Sequence, residues 1–373
     1  MKEEKRKNSL LIRSVIALIF VLALLSTYFV RTQIEDFING RLYPEVSSDV
    51  TNANLKMHFI NVGNADAIAI QLPNGQNLLI DSGDDKNESR QALLNYLNGT
   101  FFAGREKVFD YFILTHSHAD HVGGAKQVFD EFEIKKCFRP KQYTTAEAEN
   151  LGITDNKSIE TSIVFRNFVA AVNAEGCEVE FTNVDSDIVT ESFKLDFLSP
   201  LEEIYSNKNN YSPIIILTYA GKKVMFTGDA EKEVEKKVLA EYSASDLDID
   251  ILKAGHHGSD TSSCLEFLQT ITPEYAVIST NGKDYGHPSE TVLENLKNVG
   301  AKNIYRTDKN GNIVIGVFSD GNVAVAVNVY TDGFRVEWYQ LIILVGSAGL
   351  IIIFTVGNGK KKNKKRKAKA AKK

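Results

Sequence analysis

The sequence predicts a mixed α/β domain in which two sheets pack together and helices cover their outer faces. Between residues 55 and 327, strand-like apolar runs alternate with segments of helical spacing, in two similar halves. Hydrophobic residues make up 43% of the chain and include 21 Phe, which is enough for a sizeable core. This composition excludes disorder as the expected state of the central region.

The first half predicts strands that are separated by helices. The strands are expected over residues 55–60, 67–72, 77–80, 108–114 and 134–138. Helical spacing of apolar residues predicts a helix over 88–98, and another is expected to begin near residue 122. Residues 141–192 are polar and weakly patterned apart from one helix over 161–174, and we expect this insertion to cover the substrate.

The second half repeats the alternation. Strands are predicted over residues 193–198, 214–219, 223–227, 248–252, 275–279, 303–306, 313–318 and 323–327. Helices are predicted over residues 231–242, 262–270 and 289–299. Two halves of this kind favour two sheets in contact, because each sheet must bury one apolar face.

Apolar segments near both ends of the chain predict membrane spans. Residues 14–30 have about the minimum length that crosses a bilayer and follow a basic tail, residues 1–13. A second span is predicted over 339–357, beside an aromatic pair that suits the headgroup level. A cleavable signal peptide is the alternative for the first segment, although no small-residue cleavage site is evident there.

The charge on either side of these spans predicts their orientation. The basic tails, residues 1–13 and 358–373, lie on the outer side of each span relative to the middle of the chain. Since cytoplasmic flanks are enriched in Lys and Arg, we expect both termini in the cytoplasm. A linker over 31–54 and a domain over 55–330 would then be extracellular.

The middle of the chain is strongly acidic. The run 360–373 carries about +10 and residues 1–13 about +3, so the net charge of −5 leaves about −18 for residues 14–359. A region with this charge repels a polyanion unless a local basic track or bound cations offset it.

The three cysteines, Cys137, Cys177 and Cys264, are too few and too scattered for a disulfide framework or a metal site. We expect all three to be small buried residues, with one bridged pair as the alternative.

The densest group of potential metal ligands is the segment His116-Ser117-His118-Ala119-Asp120-His121, after the predicted strand 108–114. Imidazole and carboxylate together suit zinc or another borderline divalent cation. The spacing of His116 and His118 allows both to chelate one ion, whereas Asp120 and His121 can hold a second. The chain has only seven histidines, so this clustering argues against an ordinary polar loop.

This segment, followed by Val122-Gly123-Gly124, resembles the histidine motif of the metallo-β-lactamase superfamily of dinuclear metal hydrolases. Residues 78–83 (LLIDSG), 226–231 (FTGDAE) and 252–259 (LKAGHHGS) resemble further motifs of that superfamily, in the same order. The resemblance covers residues 55–327. It implies an αββα metallo-β-lactamase sandwich, here flanked by N- and C-terminal transmembrane helices.

Within the superfamily, the ComEC-like branch of competence proteins and their free-standing relatives matches best. Residues 59–67 (FINVGNADA) resemble its DVGQGDA opening, residues 209–212 its NNxS and residues 285–288 its YGHP. Asn61, Asn64 and Ala65 depart from that opening. No histidine lies between His121 and His256, so the usual third-motif histidine is missing. ComEC-like members share this gap, which argues against β-lactam hydrolysis.

The resemblance implies a site for two divalent ions, Zn²⁺ or Mn²⁺. The residues implied as ligands are His116, His118, Asp120, His121, Asp229 and His257. The first two would hold one ion, Asp229 would bridge both, and the others would hold the second. His256 is the alternative to His257 as ligand, and we expect it to contact substrate or donate a proton.

Two metal ions activate one water molecule in this superfamily, so no Ser or Cys nucleophile is needed. We therefore expect Asp120, His256 and His287 to be the catalytic residues, with His287 touching a phosphate or protonating a leaving group. Asp81 and Asp66 are expected to orient ligands, and ordinary turn residues are the alternative for both.

Three residues are expected to bind substrate, Asn210, Ser212 and Lys253. A solvated lysine at the end of a strand is the alternative interpretation of Lys253.

These observations predict a membrane-anchored, extracellular, metal-dependent hydrolase, and within that class a phosphodiesterase. DNA is the first expected substrate, and a phosphodiester in a wall polymer or a choline-type head group is the second, because it needs no long basic groove. A lactone or thioester is the third. The alternative from another class is a non-catalytic surface module that keeps the fold for binding or assembly. No protein partner is predicted.

Overall fold

The computed structural model describes residues 48–327. Strands in this part of the chain form two sheets. They are β1 Leu55–Phe59, β2 Ile68–Gln71, β3 Asn77–Ile80, β4 Val108–Ile113, β5 Glu133–Arg139, β6 Glu178–Phe181, β7 Ile188–Val189, β8 Lys194–Phe197, β9 Ile215–Tyr219, β10 Lys222–Phe226, β11 Ile251–Lys253, β12 Tyr275–Ile278, β13 Asn303–Arg306, β14 Ile313–Val317 and β15 Val323–Val327.

Helices connect most of these strands. The α-helices are α1 Asn87–Tyr96, α2 Ala119–Val122, α3 Ala125–Glu131, α4 Thr145–Leu151, α5 Ile163–Glu175, α6 Lys232–Glu241, α7 Ala244–Leu247, α8 Leu265–Ile271, α9 Glu290–Asn298 and α10 Thr307–Asn310. A π-helical turn, Leu97–Phe101, continues α1. Short 3₁₀ helices cover Lys208–Tyr211, Gly255–Gly258 and Asp284–Gly286.

The two sheets have similar topologies, each with a run of parallel strands beside a run of antiparallel strands. The first has the order β15-β14-β1-β2-β3-β4-β5-β6, and the second has the order β13-β12-β11-β10-β9-β8-β7. Strands β3 to β6 pair in parallel in the first sheet, as do β10 to β13 in the second, and the remaining pairs are antiparallel. The carboxyl ends of the parallel strands in each sheet therefore lie along one edge, and the loops that follow these strands begin there.

The contact between the sheets follows from alternation along the strands. In β1, Leu55, Met57 and Phe59 point into the core between the sheets, whereas the intervening residues point to the other face. The ring of Phe59 stacks on Phe226 of β10, with centroids 6.4 Å apart. Apolar residues at every second position of β1 thus hold the two sheets together.

Separate apolar cores lie under the helices. On the first sheet, Phe112 of β4 packs against Phe168 of α5, with ring centroids 6.1 Å apart. On the second sheet, Leu252 of β11 shares a buried cluster with Val234 of α6 and Leu268 of α8. The layers therefore run helix, sheet, sheet, helix, which confirms the predicted αββα architecture.

The prediction for residues 141–192 was incomplete, because α4, β6 and β7 were not expected there. Strand β6 is a short edge strand with exposed or half-exposed side chains, so it lacks an apolar signature. Helix α4 begins with a capping box, in which Thr144 and Glu147 bond reciprocally. That Thr-x-x-Glu pattern was readable in the sequence and is the signal that was missed.

Only the end of the expected linker, residues 31–54, lies within the described residues. Ser48 donates its backbone N–H to Val325 O at 2.9 Å, and Asn54 donates to Val317 O at 3.1 Å. The last residues of that segment therefore pack onto β14 and β15.

The structure leaves the membrane predictions open. No helix within residues 48–327 has the length and apolar character needed to cross a bilayer. The predicted spans, 14–30 and 339–357, and the tails, 1–13 and 358–373, lie outside the described residues.

The cysteine prediction is only partly right. Cys137 is buried as expected, but Cys177 and Cys264 are half-buried. All three are free thiols, so the alternative of one bridged pair is wrong.

Candidate metal centre

Loops from both sheets bring the predicted ligands together. His116 and His118 follow β4, and α2 then presents Asp120 and His121. From the second sheet, the loop after β10 carries Asp229, and the 3₁₀ turn Gly255–Gly258 after β11 carries two further histidines. The predicted convergence of these distant segments is observed.

The carboxylate of Asp229 lies at the middle of this group and is buried. Its Oδ1 is 3.2 Å from His121 Nε2 and 3.8 Å from His257 Nε2. Its Oδ2 is 3.8 Å from His116 Nε2 and 3.6 Å from His256 Nε2. The two oxygens therefore face two different sets of imidazoles, as a bridging carboxylate would.

The set on the Oδ1 side is compact. One ligand atom each from Asp120, His121, Asp229 and His257 lies within 4.8 Å of all the others. Three of these atoms, His121 Nε2, His257 Nε2 and Asp229 Oδ1, are buried without a hydrogen-bond partner. A buried polar atom left unpaired costs about 1–3 kcal/mol, so three at one point need an explanation. A divalent cation satisfies all three, and the donor set fits zinc or manganese.

The set on the Oδ2 side begins with the His-x-His pair. His116 Nε2 lies 3.0 Å from His118 Nδ1, and the two rings meet edge to face. His116 is fully buried, whereas His118 is half-buried. The two nitrogens therefore lie within hydrogen-bond distance of each other, and chelation of a single ion by this pair stays a prediction.

Hydrogen bonds on the far side of each ring fix the orientation of the buried histidines. Nδ1 of His121 is 2.7 Å from Asp81 Oδ2, and Nδ1 of His257 is 3.0 Å from Ser279 O. Nδ1 of His116 lies 3.2 Å from both Thr115 Oγ1 and Ser212 Oγ. Such contacts leave Nε2 free to face the centre and are typical of metal-binding histidines. Asp81 therefore lies where the predicted orienting role requires.

Electrostatics at the centre favour positive charge. Burial alone would lower the pKa of His121, but the carboxylates of Asp229 and Asp81 outweigh it and raise that pKa well above its usual value. Burial alone would raise the pKa of Asp229, but His121 and His257 hold it well below its usual value. The low pKa of Asp229 favours its charged form, which offers a cation the same stabilisation that it gives to a protonated imidazole.

Lys253 does not lie on the substrate side of the centre, which corrects the prediction that it binds substrate. Its side chain is 1% exposed, and its Nζ lies 2.9 Å from Asp66 Oδ2. The other oxygen of Asp66 is 3.8 Å from His257 Nδ1. Lys253 and Asp66 thus form a buried ion pair behind His257, and the alternative of a solvated lysine is also wrong. Asp66 lies where an orienting residue would.

Asn210 and Ser212 are also buried, which corrects their predicted contact with substrate. Asn210 donates to Glu233 Oε2 at 2.9 Å and accepts from the backbone N–H of Glu231 at 3.1 Å. Ser212 Oγ accepts from the backbone N–H of Asp229 at 3.1 Å. These residues brace the loop that carries Asp229.

His256 and His287 line the open side of the centre. The side chain of His256 is 22% exposed, and its ring centroid lies 5.5 Å from that of His287. Burial and the neighbouring His256 lower the pKa of His287. Tyr285, with its ring 5.9 Å from His287, is 86% exposed. The catalytic roles expected for Asp120, His256 and His287 stay predictions.

Side chains that hold the His-x-His loop in place were not predicted from the sequence. Ser117 donates its backbone N–H to Gln142 Oε1 at 3.1 Å and its hydroxyl to Glu160 Oε2 at 3.0 Å. The same carboxylate forms a close ion pair with Lys208. Gln142 and Glu160 belong to the weakly patterned insertion, where isolated polar residues match no motif.

The chain matches a family model and two curated proteins. A family model described as the metallo-beta-lactamase superfamily matches residues 60–283. The chain is 27% identical over 288 residues to ComE operon protein 3 of Bacillus subtilis, covering 73% of this chain and 34% of that protein. It is 34% identical over 136 residues to competence protein ComA of Neisseria gonorrhoeae, covering 36% of this chain and 19% of that protein.

Among solved structures, the chain is similar to Igni18, a metallo hydrolase from Ignicoccus hospitalis. The sequences are 14% identical, the TM-score is 0.43, and the match covers 69% of this chain and 98% of that one.

The chain spans about a third or less of the length of the two curated relatives. The family match nevertheless covers more than half of the chain and includes every predicted metal ligand. The protein therefore belongs to the metallo-beta-lactamase superfamily of metal-dependent hydrolases, and it is related to competence proteins of the ComEC type.

Proposed function

We propose that this protein is a two-metal phosphodiesterase, anchored in the cell membrane with its catalytic domain outside. The observation that carries the proposal is the convergence of unpaired buried atoms on Asp229, with imidazoles on both sides of its carboxylate. Relatives that lack a catalytic role would be free to lose part of this set. The near-complete ligand set favours an enzyme over a surface module that only binds.

The residues have distinct roles in this proposal. Two divalent ions, when bound, supply a nucleophilic water at neutral pH and clamp the attacking and leaving oxygens. Asp229 holds the two halves of the centre together, and Asp120, half-exposed and 3.4 Å from His257 Nε2, faces the open side. His287 lies beside His256 on the open side of the centre, where a ring N–H can orient a phosphate.

Single-stranded DNA is the first substrate class in this proposal. The kinship with competence proteins supports it. The exposed ring of Tyr285 beside His287 also supports it, because bases stack on such rings. A phosphodiester in a wall polymer or a choline-type head group is the second class, because the acidic middle of the chain disfavours a long polyanion.

A hydrolysis assay on the full-length protein in detergent tests the proposal. The substrates are bis-p-nitrophenyl phosphate, single-stranded DNA and a teichoic-type polymer, each with Zn²⁺ or Mn²⁺ supplied separately. We expect metal-dependent hydrolysis of the generic diester and a loss of about 100-fold in Asp229→Asn, because an amide is neutral and offers one oxygen where the carboxylate offers two.

Asp185→Asn is the matched control, because Asp185 is an exposed carboxylate outside the centre, and it should keep full activity. A folded protein that neither binds metal nor hydrolyses any of the three substrates would instead identify a binding module. Hydrolysis of lactones or thioesters alone would move the substrate class away from phosphodiesters.

A further inference from the structure

We propose that His256 is a ligand of the first metal ion, in the place left by the missing third-motif histidine. Consecutive residues, His256 and His257, would then serve the two different ions. This inference rests on the proposed two-metal function and assigns His256 to the metal rather than to substrate.

The position of the His256 ring relative to Asp229 is the first support. Its Nε2 lies 3.6 Å from Asp229 Oδ2, the oxygen that also faces His116 Nε2 at 3.8 Å. His257 instead faces Asp229 Oδ1, at 3.8 Å. The two neighbouring histidines therefore face different oxygens of the Asp229 carboxylate, His256 facing Oδ2 and His257 facing Oδ1.

The hydrogen bonding of His256 is the second support. Its Nδ1 lies 2.9 Å from Thr261 Oγ1 and 3.6 Å from a carboxylate oxygen of Glu231. His116, His121 and His257 show the same arrangement, with Nδ1 tethered and Nε2 turned to Asp229. A histidine that only contacted substrate would not need its ring fixed from behind in this way.

The backbone is the third support. His256 has φ 49° and His257 has φ 53°, so two successive residues other than glycine occupy the left-handed region. Such conformations cost about 1–3 kcal/mol each and persist where function requires them. His256 N–H donates to Gly228 O at 3.0 Å, which ties this turn to the Asp229 loop. The strain places both rings against one carboxylate, with centroids 6.2 Å apart.

The composition of the resulting site is the fourth support. His116, His118, His256 and Asp229 give three imidazoles and one carboxylate, a donor set that suits zinc or manganese. His58 and His287 are poorer candidates for this ion, because His58 is buried beside Tyr96 and His287 lies beyond His256. The site is more open than its neighbour, since His256 is 22% exposed.

Metal binding by the full-length, metal-free protein in detergent tests the inference. Equilibrium dialysis with Mn²⁺, followed by metal analysis, should give two ions per wild-type chain. His256→Asn should keep one tight ion and weaken the other by at least about 10-fold. Asn tolerates the left-handed backbone, so the turn is preserved. His256→Gly, which removes the side chain without straining the turn, should behave in the same way.

Electron paramagnetic resonance gives a second readout that does not depend on activity. The signal of a coupled Mn²⁺ pair in the wild type should be replaced by that of isolated Mn²⁺ in His256→Asn. Added imidazole should restore the pair in His256→Gly. His287→Ala is the control, because His287 neighbours His256 without facing Asp229, and it should keep both ions.

Two ions bound with unchanged affinity in both His256 variants would overturn the inference and leave the proposed function intact. A wild-type protein that binds no metal would overturn the proposed function itself. Matching circular dichroism spectra in chelator exclude misfolding as the cause of metal loss.

Discussion

At the scale of single residues, the buried ion pair of Lys253 and Asp66 supports the metal centre from behind. Neither side chain is more than 2% exposed, and the two charged groups are 2.9 Å apart. Lys253 Nζ also donates to Ala254 O at 2.8 Å. Because Asp66 Oδ1 also lies 3.8 Å from His257 Nδ1, the ion pair holds the His257 ring in position.

Removing one member of this pair should destabilise the fold more than removing both. Lys253→Met leaves a buried carboxylate uncompensated, and Asp66→Asn leaves a buried ammonium, each at a cost of about 3–5 kcal/mol. The double variant buries no unpaired charge, so its loss should be smaller than the loss in either single variant. Urea unfolding of the metal-free protein measures the three free energies of unfolding.

If the loss of stability in the double variant equals the sum of the losses in the two single variants, the two charges do not interact in the folded protein. Lys126→Met with Asp130→Asn is the matched control, because that pair lies on an exposed helix face. Its coupling should stay below about 1 kcal/mol.

Residue identity and spacing predicted which side chains would gather, but they could not predict which way each one faces. The spacing of His116, His118 and His121 indicates a metal site, and those rings do meet. Lys253 could not be placed in the same way. Its only ionic partner in the described chain is Asp66, which lies far away in sequence, and a lysine at a strand end is solvated far more often than buried.

At the scale of elements, the packing of helix α2 against the loop after β3 depends on Gly123. A Cβ added there would lie 2.1 Å from Asp85 N and 2.4 Å from Ala119 O, both backbone atoms that cannot move aside. Gly123 N–H also donates to Gly83 O at 2.9 Å. The close approach places Asp120 and His121 beside the Asp81 loop.

Gly123→Ala should therefore separate α2 from that loop and disturb the centre. We expect a loss of about 3 kcal/mol or more in the free energy of unfolding, at the upper end for overpacking, together with weaker metal binding. Thermal unfolding with and without Mn²⁺ measures both effects. Gly99→Ala is the control, because a Cβ at Gly99 meets nothing within 4 Å, and its stability should change little. Equal behaviour of the two variants would contradict this account.

Elements with a clear pattern of apolar residues were predicted well, whereas strands that exist only through pairing with a neighbouring strand were not. Strand β3 has the predicted bounds, 77–80, because a short apolar run between turn residues has few alternatives. Strand β7 has two residues and is defined by its pairing with β8. Local sequence carries no signal for a strand of that kind.

At the scale of the whole molecule, the centre lies where loops from the two sheets meet. The first sheet supplies the His-x-His segment and Asp81, and the second supplies Asp229 and the histidine pair. Alternation of elements predicted two sheets, but only the resemblance of motifs indicated that their loops share one edge. Periodicity describes each sheet separately, whereas the site depends on how the sheets are joined.

The proposed topology predicts opposite accessibility for the domain and the carboxyl-terminal tail. Cytoplasmic flanks of membrane spans are rich in Lys and Arg, and both tails of this chain are basic. In a background with the three native cysteines replaced by Ala, single cysteines can be introduced as Leu151→Cys and Lys369→Cys. Leu151 is 64% exposed, so a reagent reaches it without unfolding.

A membrane-impermeant maleimide applied to intact cells should label Leu151→Cys and leave Lys369→Cys unlabelled until the cells are lysed. The reason is energetic, because translocating the dense positive charge of the tail is opposed by the membrane potential and by anionic lipid on the cytoplasmic face. The Ala background alone is the blank. Labelling of the tail but not of the domain would reverse the topology and place the metal centre in the cytoplasm, where substrates outside the cell could not reach it.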